Sequence, residues 1–439
     1  MKTRLPLFVW FFLSVGFFAG GLPCQAEEAP PDWSTGSPRR EIRPRFQYSA
    51  QDGPHQKGAL RIEASDREEL IGYWEKSFPV IGDRFYQFRV FKKTQDIDHP
   101  VRSTPVKIIW QDDQGNLVPG GVHRRRPDYP PDRATDAEGW TEVSDLYHAP
   151  PQASRAKVEL RLQWAPGGSV DWSEPTLTEV PPPKPRNVRL AAVHYRPQGK
   201  TPADNPRQFA PLVAKAAQLK ADLVCLGESI TFLNTGKSMA DVAEPVPGPS
   251  TEYLGELSKQ HDLYLAAGLV EREGAAVFNT AVLLGPDGKL VGKYRKTCLP
   301  REEVAQGVTP GHEYPVFSTR FGKVALMVCW DVHFPEVARN LALRGAEVIA
   351  LPIWGGNRVL ARARAIENQV FVVTSTYSTR EDQMKTGILE PTGRWLVQAQ
   401  NFGDVVVAEV DLDKRYQWEF LGDFRRRIWR ELPVGGYGD

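Results

Sequence analysis

The spacing of hydrophobic positions changes near residue 185 and divides the chain into two parts. Before that point, residues 85–91 and 106–110 are short runs of β-forming residues, and residues 158–164 alternate apolar and polar positions with a period of two, as in a half-buried strand. This part of the sequence has no helical period of useful length. The pattern predicts an all-β sandwich domain over residues 46–180, followed by a Pro-rich linker over residues 181–186.

After residue 187, apolar strands alternate with amphipathic helices. Four apolar residues share one helical face and predict a helix over residues 209–220. Further helices are expected over residues 252–260 and 358–368, and from Pro335 onward. Strands are expected at residues 188–193, 221–226, 263–269, 280–284, 324–329, 348–352 and 370–374. This alternation predicts an α/β domain of layered sheets and helices over residues 187–435.

The N-terminal residues have the pattern of a secretory signal over residues 1–26. Two basic residues precede an apolar run over residues 5–22, and small residues stand at positions −3 and −1 of a cleavage site after Ala26. We expect cleavage there, export to the periplasm or the outside of the cell, and a flexible leader over residues 27–45. The alternative is an uncleaved membrane anchor. It is weakened because the run is close to the shortest bilayer span and contains three glycines.

Composition and charge narrow the classes of function. The 439 residues include 55 Lys and Arg against 54 Asp and Glu, a net charge of +1, and removing the signal with its two basic residues leaves −1. This balance argues against a nucleic-acid partner, because binding to nucleic acid needs an excess of basic groups on one face. Four cysteines are too few for a disulfide scaffold, and no Cys/His spacing resembles a metal site. We therefore expect a globular protein without a bound metal.

Three reactive side chains stand where predicted strands or turns end. Cys329 closes an apolar strand and precedes a helix that begins at Pro335, so its sulfur can lie near backbone N–H groups that stabilise a thiolate or an oxyanion. Glu228 follows a buried strand and could act as a general base, and Lys296 follows a β-turn and could supply positive charge. Each also has a structural interpretation: a core cysteine, a helix-capping or surface acid, and a solvated lysine.

Taken with their flanks, these three residues resemble the nitrilase, or carbon–nitrogen hydrolase, superfamily. The resemblance covers about residues 187–435 and is most specific in Tyr294-Arg295-Lys296 and in Cys329-Trp330-Asp331 with Phe334-Pro335-Glu336. It is also carried by segments 222–228, 279–281, 307–311, 362–368 and 391–393. It implies a four-layer α-β-β-α sandwich and an amidase-type enzyme that acts on carbon–nitrogen bonds other than peptide bonds. It further implies no cofactor, and pairing into a homodimer or higher homo-oligomer.

The resemblance also implies roles for individual residues. Glu228 would take the proton from Cys329 and later activate water, while Cys329 attacks the carbon of an amide, or less often of a nitrile. Lys296 and the backbone N–H of Trp330 would hold the oxyanion, and Glu303 would position Lys296 or the substrate. The candidates for lining the substrate pocket are His333, Trp354 and Cys298.

Two positions depart from the family pattern. Cys298 stands where many members have His, and Gly227 precedes the expected base where Pro is common. Neither change removes a member of the Glu-Lys-Cys triad, so we expect an active enzyme. The alternatives are nitrile hydrolysis by the same triad and a catalytically inactive binding protein, and the intact triad opposes the second.

Residues 46–180 resemble a jelly-roll module of the carbohydrate-binding kind. The resemblance rests on Trp110, Trp140 and Trp164, on the turn at residues 112–115, and on Val-Asp-Trp at residues 170–172. It implies a carbohydrate partner for this part of the chain. The alternative is a structural or partner-binding domain, because aromatic side chains in a sandwich usually belong to its core.

Overall fold

The structure, a computed structural model, describes residues 29–118, 127–418 and 422–433. The secretory signal expected over residues 1–26 lies outside these ranges, so its cleavage and the export of the protein stay predictions. Within the described ranges, no helix is both long and apolar enough to cross a membrane.

The N-terminal part folds into two antiparallel sheets, one short α-helix and two 3₁₀ turns, Arg40–Ile42 and Pro54–Gln56. Its elements are β1 (Ser34–Gly36), β2 (Arg45–Ser49), β3 (Ala59–Glu63), β4 (Ile71–Pro79), β5 (Phe85–Gln95), α1 (Pro100–Ser103), β6 (Val106–Gln111), β7 (Asp132–Thr135), β8 (Thr141–His148), β9 (Arg155–Gln163) and β10 (Ser169–Val180). One sheet has the strand order β1-β4-β9-β6 and the other has β2-β3-β10-β5-β8-β7. We call these two sheets the N-terminal sheets.

The period-two pattern decides which side of each strand is buried. In β9, Val158, Leu160 and Leu162 enter the core. On the other side of the strand Lys157 and Arg161 are half-buried, and Glu159 is buried and paired with Arg161. Phe88 and Trp172 complete the centre of that core. The apolar positions of the predicted strands therefore form the packed interior.

The three tryptophans considered for sugar binding are placed differently. Trp110 and Trp140 are buried, at 3% and 9% exposure, and Trp164 is 47% exposed. The Arg102 guanidinium lies 5.3 Å from the centroid of the Trp164 ring, so one face of that ring is already occupied. Two of the three rings are therefore inaccessible to a carbohydrate.

Regular structure begins before the predicted boundary at residue 46. In β1, Thr35 lies opposite Trp74 of β4, and Ile42 is buried. The flexible leader predicted over residues 27–45 is therefore wrong from Ser34 onward, because pairing with β4 satisfies backbone groups that a leader would expose to water.

Beyond the linker, strands and helices alternate as the sequence predicts. The elements are β11 (Asn187–His194), α2 (Asp204–Arg207), α3 (Ala210–Gln218), β12 (Leu223–Cys225), α4 (Met239–Val242), α5 (Pro249–Gln260), β13 (Tyr264–Glu273), β14 (Ala276–Leu284), β15 (Leu290–Arg295), α6 (Arg301–Ala305), β16 (Val316–Ser318), β17 (Lys323–Leu326), α7 (Pro335–Leu343), β18 (Val348–Ile353), α8 (Arg358–Asn368), β19 (Phe371–Thr376), β20 (Gly387–Leu389), β21 (Trp395–Gln398), β22 (Asp404–Asp411), β23 (Gln417–Trp418), β24 (Gly422–Asp423) and α9 (Phe424–Glu431). We call this region the α/β part.

Two six-stranded sheets form the centre of the α/β part, with strand orders β15-β14-β13-β12-β11-β22 and β16-β17-β18-β19-β20-β21. Their facing sides share one core, to which Leu190 contributes from the first sheet and Ile349 from the second. Helices α3 and α5 pack on the outer side of the first sheet through Val213 and Leu254, and α7 and α8 pack against the second. The predicted α/β fold with α-β-β-α layers is confirmed for this part.

The ends of parallel strands determine where the reactive residues meet. Strands β11, β12 and β13 are parallel in one sheet, and β17, β18 and β19 are parallel in the other. Glu228 follows β12, Lys296 follows β15 and Cys329 follows β17. Because residues beyond the carboxyl ends of such strands lie along one edge, distant parts of the sequence come together there.

Candidate active site

Cys329 stands at a sharp elbow after β17. It opens a 3₁₀-helix, Cys329–His333, and its φ of 46° lies in the left-handed region, which costs a non-glycine residue about 1–3 kcal/mol. The buried carboxylate of Asp331 braces the elbow, because it accepts the Val328 N–H at 3.0 Å and the Tyr294 hydroxyl at 2.8 Å. The half-buried thiol is thus held in a strained conformation by a rigid neighbour.

The carboxylate of Glu228 is buried and fully engaged. Its Oε2 accepts the backbone N–H of Trp354 at 2.8 Å, and its Oε1 accepts Asn279 Nδ2 at 2.8 Å. The Tyr377 hydroxyl donates to the backbone oxygen of Glu228 at 2.6 Å. A Cβ at Gly268 would lie 2.7 Å from the Glu228 Cα, so only glycine allows this close packing. Glu228 therefore sits in one defined orientation.

Lys296 is the positive charge of the site. Its Nζ lies 2.5 Å from Glu303 Oε1 and 3.3 Å from Glu228 Oε1, and the side chain is completely buried. Asn279 Nδ2 donates to Glu303 Oε1 at 3.0 Å as well as to Glu228. The second oxygen of Glu303, Oε2, is buried and has no hydrogen-bond partner among the described residues. One cation and one amide thus hold two carboxylates, and one carboxylate oxygen is left unused.

The environment sets the protonation states of the site. Burial alone would lower the pKa of Lys296, but the neighbouring carboxylates, Glu228 first and then Glu303, outweigh burial, so the pKa lies above its usual value and the amine stays protonated. Burial, and then the charge of Glu228, raises the pKa of the Cys329 thiol well above its usual value, although Lys296 opposes this. The thiol also interacts with Glu228 and with the Trp354 N–H. The raised pKa keeps the Cys329 thiol protonated at rest, beside the side chain of Glu228.

The supporting residues predicted from the sequence lie around this centre. Trp330 adjoins Cys329 and is 37% exposed, and its ring lies 4.2 Å from that of the half-buried His333. Trp354 is 40% exposed, and its ring meets Tyr377 edge-on at 5.5 Å. Trp354 is thus tied to the site by its backbone N–H as well as by its position after β18.

Cys298 is linked to Asp331 of the elbow rather than to Glu228, Lys296 or the Cys329 thiol. Its N–H donates to Asp331 Oδ1 at 2.9 Å, and its sulfur lies 3.8 Å from the Thr297 hydroxyl. Burial, and then Asp331, raises the pKa of the Cys298 thiol. The thiol is free, as are those of Cys225 and Cys329.

Two contributors, Asn279 and Tyr377, were not predicted from the sequence. Asn279 lies in a segment that carries the family resemblance, but nothing local signals that it contacts both Glu228 and Glu303. Tyr377 is 149 positions from Glu228 along the chain. It also explains Gly227, because a Cβ there would lie 2.4 Å from the Tyr377 hydroxyl oxygen. Among the described residues, no group of three or more His, Cys, Asp and Glu could hold a metal ion.

Residues 189–420, more than half of the chain, match the sequence profile of the carbon-nitrogen hydrolase family. This chain belongs to that family. The omega-amidase NIT2 of Mus musculus is 31% identical over 251 residues, which are 52% of this chain and 87% of the relative. A nitrilase of Pyrococcus abyssi is 34% identical over 240 residues, 51% of this chain and 90% of that protein.

Solved structures match the same share of this carbon–nitrogen hydrolase. Nit3 of Saccharomyces cerevisiae has a TM-score of 0.46 and 24% identity, and the match covers 51% of this chain and 90% of that structure. An amidase from Nesterenkonia sp. has a TM-score of 0.45 and 23% identity, with coverage of 52% and 91%.

Proposed function

We propose that this carbon–nitrogen hydrolase cleaves a non-peptide amide or carbamoyl bond through a thioester on Cys329. The observation that carries the proposal is the convergence of a protonated thiol, an oriented carboxylate and a buried ammonium group on one point. Such a set provides a nucleophile, a base and a charge for the oxyanion. The similarity to omega-amidases supports the amide as the substrate group.

In the first half of the reaction, the Cys329 sulfur attacks the carbonyl carbon while its proton passes to Glu228. The carbonyl electrons move to oxygen, and Lys296 and the backbone N–H of Trp330 stabilise the oxyanion. When the tetrahedral intermediate collapses, the carbon–nitrogen bond breaks and the proton on Glu228 moves to the leaving nitrogen. Ammonia or an amine departs, and the acyl group is left on Cys329.

In the second half, water replaces the departed nitrogen. Glu228 takes a proton from this water, and the water oxygen attacks the thioester carbon. The intermediate then expels the Cys329 thiolate, which regains its proton from Glu228, and a carboxylic acid is released. The elbow at Cys329 suits this cycle, because its fixed backbone holds the sulfur in one position for both tetrahedral intermediates.

Glu303 is proposed to act through both of its oxygens. Oε1 lies 2.5 Å from the Lys296 ammonium group and keeps that group from pairing with Glu228 alone. Oε2 is buried without a partner among the described residues and is assigned to an N–H of the substrate amide. A buried carboxylate oxygen is costly to leave without a hydrogen bond, so substrate binding would satisfy it.

The test combines product and adduct detection. The purified protein is incubated with ω-amides, aliphatic amides, carbamoyl compounds and nitriles, ammonia is measured, and the intact mass is recorded during turnover. We expect ammonia release from at least one amide, together with an acyl adduct that peptide mapping assigns to Cys329. Cys329→Ala should abolish both, and Cys225→Ala, which removes a core thiol, is the matched control.

The outcomes separate the candidate functions. Turnover that survives Cys329→Ala contradicts the mechanism. Ammonia from nitriles and not from amides favours nitrile hydrolysis, the second candidate, which rests on the similarity to the Pyrococcus abyssi nitrilase. Absence of ammonia with every compound favours a catalytically inactive binding protein.

We also propose that the enzyme is exported, that it forms a homo-oligomer, and that its N-terminal part has a carbohydrate partner. Export through residues 1–26 predicts a mature N-terminus at Glu27, which N-terminal sequencing of the native protein tests. The expected homodimer or higher homo-oligomer is tested by light scattering on the purified chain. Of the three tryptophans that suggested a carbohydrate partner, Trp164 is the exposed one, so binding on a sugar array should weaken in Trp164→Ala.

A further inference from the structure

A cavity of about 630 Å³ lies where the N-terminal sheets, α7 and α9 meet. Its volume falls within the usual range of small-molecule sites. Val101 and Pro131 from the N-terminal part, with Leu343, Ile428 and Trp429 from the α/β part, give it apolar walls. None of the residues placed in the active site lines it.

The cavity has an excess of positive charge. Its ionisable lining consists of Arg186, Lys323, Arg425, Arg426 and Arg430 against Asp132 and Glu347. Arg186 is paired with Glu347 at 2.8 Å, and Arg426 is paired with Asp145 at 3.2 Å. Lys323, Arg425 and Arg430 form no ion pair with any residue in the described ranges. These three cations therefore have no direct ion pair within those ranges, although Asp132 lies near Arg430 and Glu347 lies near Arg425, and the lining keeps an excess of positive charge.

Arg430 and Asp132 each present an unused polar atom. Arg430 is 8% exposed, and its terminal nitrogens donate to the backbone oxygens of Pro130 at 2.6 Å and Arg426 at 2.8 Å. Its Nε has no hydrogen-bond partner within the described part of the chain. Asp132 Oδ2 contacts Lys92 at 2.6 Å, and Asp132 Oδ1 is buried and likewise unpartnered in the described residues. Buried polar atoms of this kind are uncommon unless a ligand or water completes them.

We propose that this cavity binds a small organic anion that also carries a hydroxyl or N–H donor. The anionic group contacts Arg430, Arg425 and Lys323, because guanidinium groups match carboxylate and phosphate oxygens. The hydroxyl or N–H group donates to Asp132 Oδ1, and the carbon skeleton packs on the apolar walls. Since the ligand touches both parts of the chain, its binding stabilises the docked arrangement of α9 on the N-terminal sheets.

The test uses citrate, tricarballylate, which is citrate without its hydroxyl, and inorganic phosphate as probes in calorimetric titrations of the full chain. We expect citrate to bind and to raise the melting temperature. Tricarballylate should bind about tenfold more weakly, because it leaves Asp132 Oδ1 unpaired. Phosphate should also bind more weakly than citrate, because it makes no contact with the apolar walls.

Two variants connect the binding to the cavity. Arg425→Gln and Lys323→Gln should each weaken citrate about tenfold or more, since each removes a charge-assisted contact. Lys289→Gln, which removes an exposed lysine from the turn before β15, is the matched control and should bind as the wild type does. If Arg425→Gln does not fold, Lys323→Gln carries the test, because the Lys323 side chain makes no ion pair among the described residues.

The proposal is overturned if citrate does not bind, or if both cavity variants bind it as tightly as Lys289→Gln. Equal affinities for citrate and tricarballylate overturn the donor contact to Asp132. A melting temperature that rises with citrate in the wild type, but not in Arg425→Gln or Lys323→Gln, supports both the site and its effect on docking.

Discussion

Asn279 joins the two acidic residues of the site, and its replacement tests the proposed chemistry most directly. Its Nδ2 lies 2.8 Å from Glu228 Oε1 and 3.0 Å from Glu303 Oε1. Lys296 Nζ lies 3.3 Å and 2.5 Å from the same two oxygens. Two buried carboxylates thus share one cation and one amide. A hydrogen bond to a charged group contributes about 1.5–3 kcal/mol, so the Asn279 amide contributes substantially to holding the two carboxylates in place.

Asn279→Ala should lower kcat about 10- to 100-fold with little change in KM, because about 1.4 kcal/mol corresponds to each factor of ten. Asn279→Asp keeps the shape but adds a third carboxylate. Two unit charges 3 Å apart repel by about 5 kcal/mol at an effective dielectric constant of about 20. Asn279→Asp should therefore be less active and less stable than Asn279→Ala, and its stability deficit should shrink as the pH falls, because protonation of one carboxylate removes the repulsion.

The assay is steady-state ammonia release, with thermal unfolding followed between pH 5 and pH 8. Ser229→Ala is the control, because the Ser229 hydroxyl donates to Asn279 Oδ1 at 3.2 Å and touches neither acidic side chain. Loss of that neutral hydrogen bond, about 1 kcal/mol, should cost less than tenfold in kcat. Wild-type kcat in Asn279→Ala, or equal kcat in the Ala and Asp variants, would refute the reasoning.

Three further changes test the surrounding structure. Glu271 is 1% exposed. Burial raises its pKa, but hydrogen bonds from Arg295 and Lys293 outweigh burial and lower it. Glu271→Gln should therefore reduce the free energy of unfolding by about 3–5 kcal/mol at pH 7. In urea titrations, the difference in the free energy of unfolding between the wild type and Glu271→Gln should shrink as the pH falls through the lowered pKa of Glu271. The reason is that the ion pairs require a charged Glu271. Gly268→Ala should reduce kcat at least about tenfold, because its Cβ would lie 2.7 Å from the Glu228 Cα, and unchanged kcat argues against that packing. Asp145→Asn should speed proteolysis at residues 181–186, since Asp145 pairs with two arginines of the C-terminal segment.

The local parts of this architecture were predictable, because each has its own signal in the sequence. The helix expected over residues 358–368 coincides with α8, since an amphipathic period and a capping Asn357 define it locally. The positions of Glu228, Lys296 and Cys329 after strands also follow from apolar runs and turn residues. The structure places these three residues together, as the family resemblance implies.

The contacts within the site were not predictable, because they depend on how separate strands are aligned. Asn279 reaches Glu228 across 51 positions only because a single strand, β13, separates β14 from β12 in the sheet. The brace at Asp331 joins the elbow to Tyr294 from the opposite sheet. The strand β1 was missed for a related reason, since its short polar sequence forms a strand only when β4 is present beside it.

Residues of α9 and of the segment before it form polar contacts between the two parts of the chain. Arg415 and Arg430 find their partners at Asp145 and Pro130, which lie 270 and 300 positions earlier in the sequence. We expect a fragment that begins at residue 187 to be less stable, because it would keep the half-buried Arg415 and the buried Arg430 and lose the carboxylate and the carbonyl oxygen that pair with them. Exchanging the α/β part for that of a relative would therefore require α9 and β8 to be exchanged together.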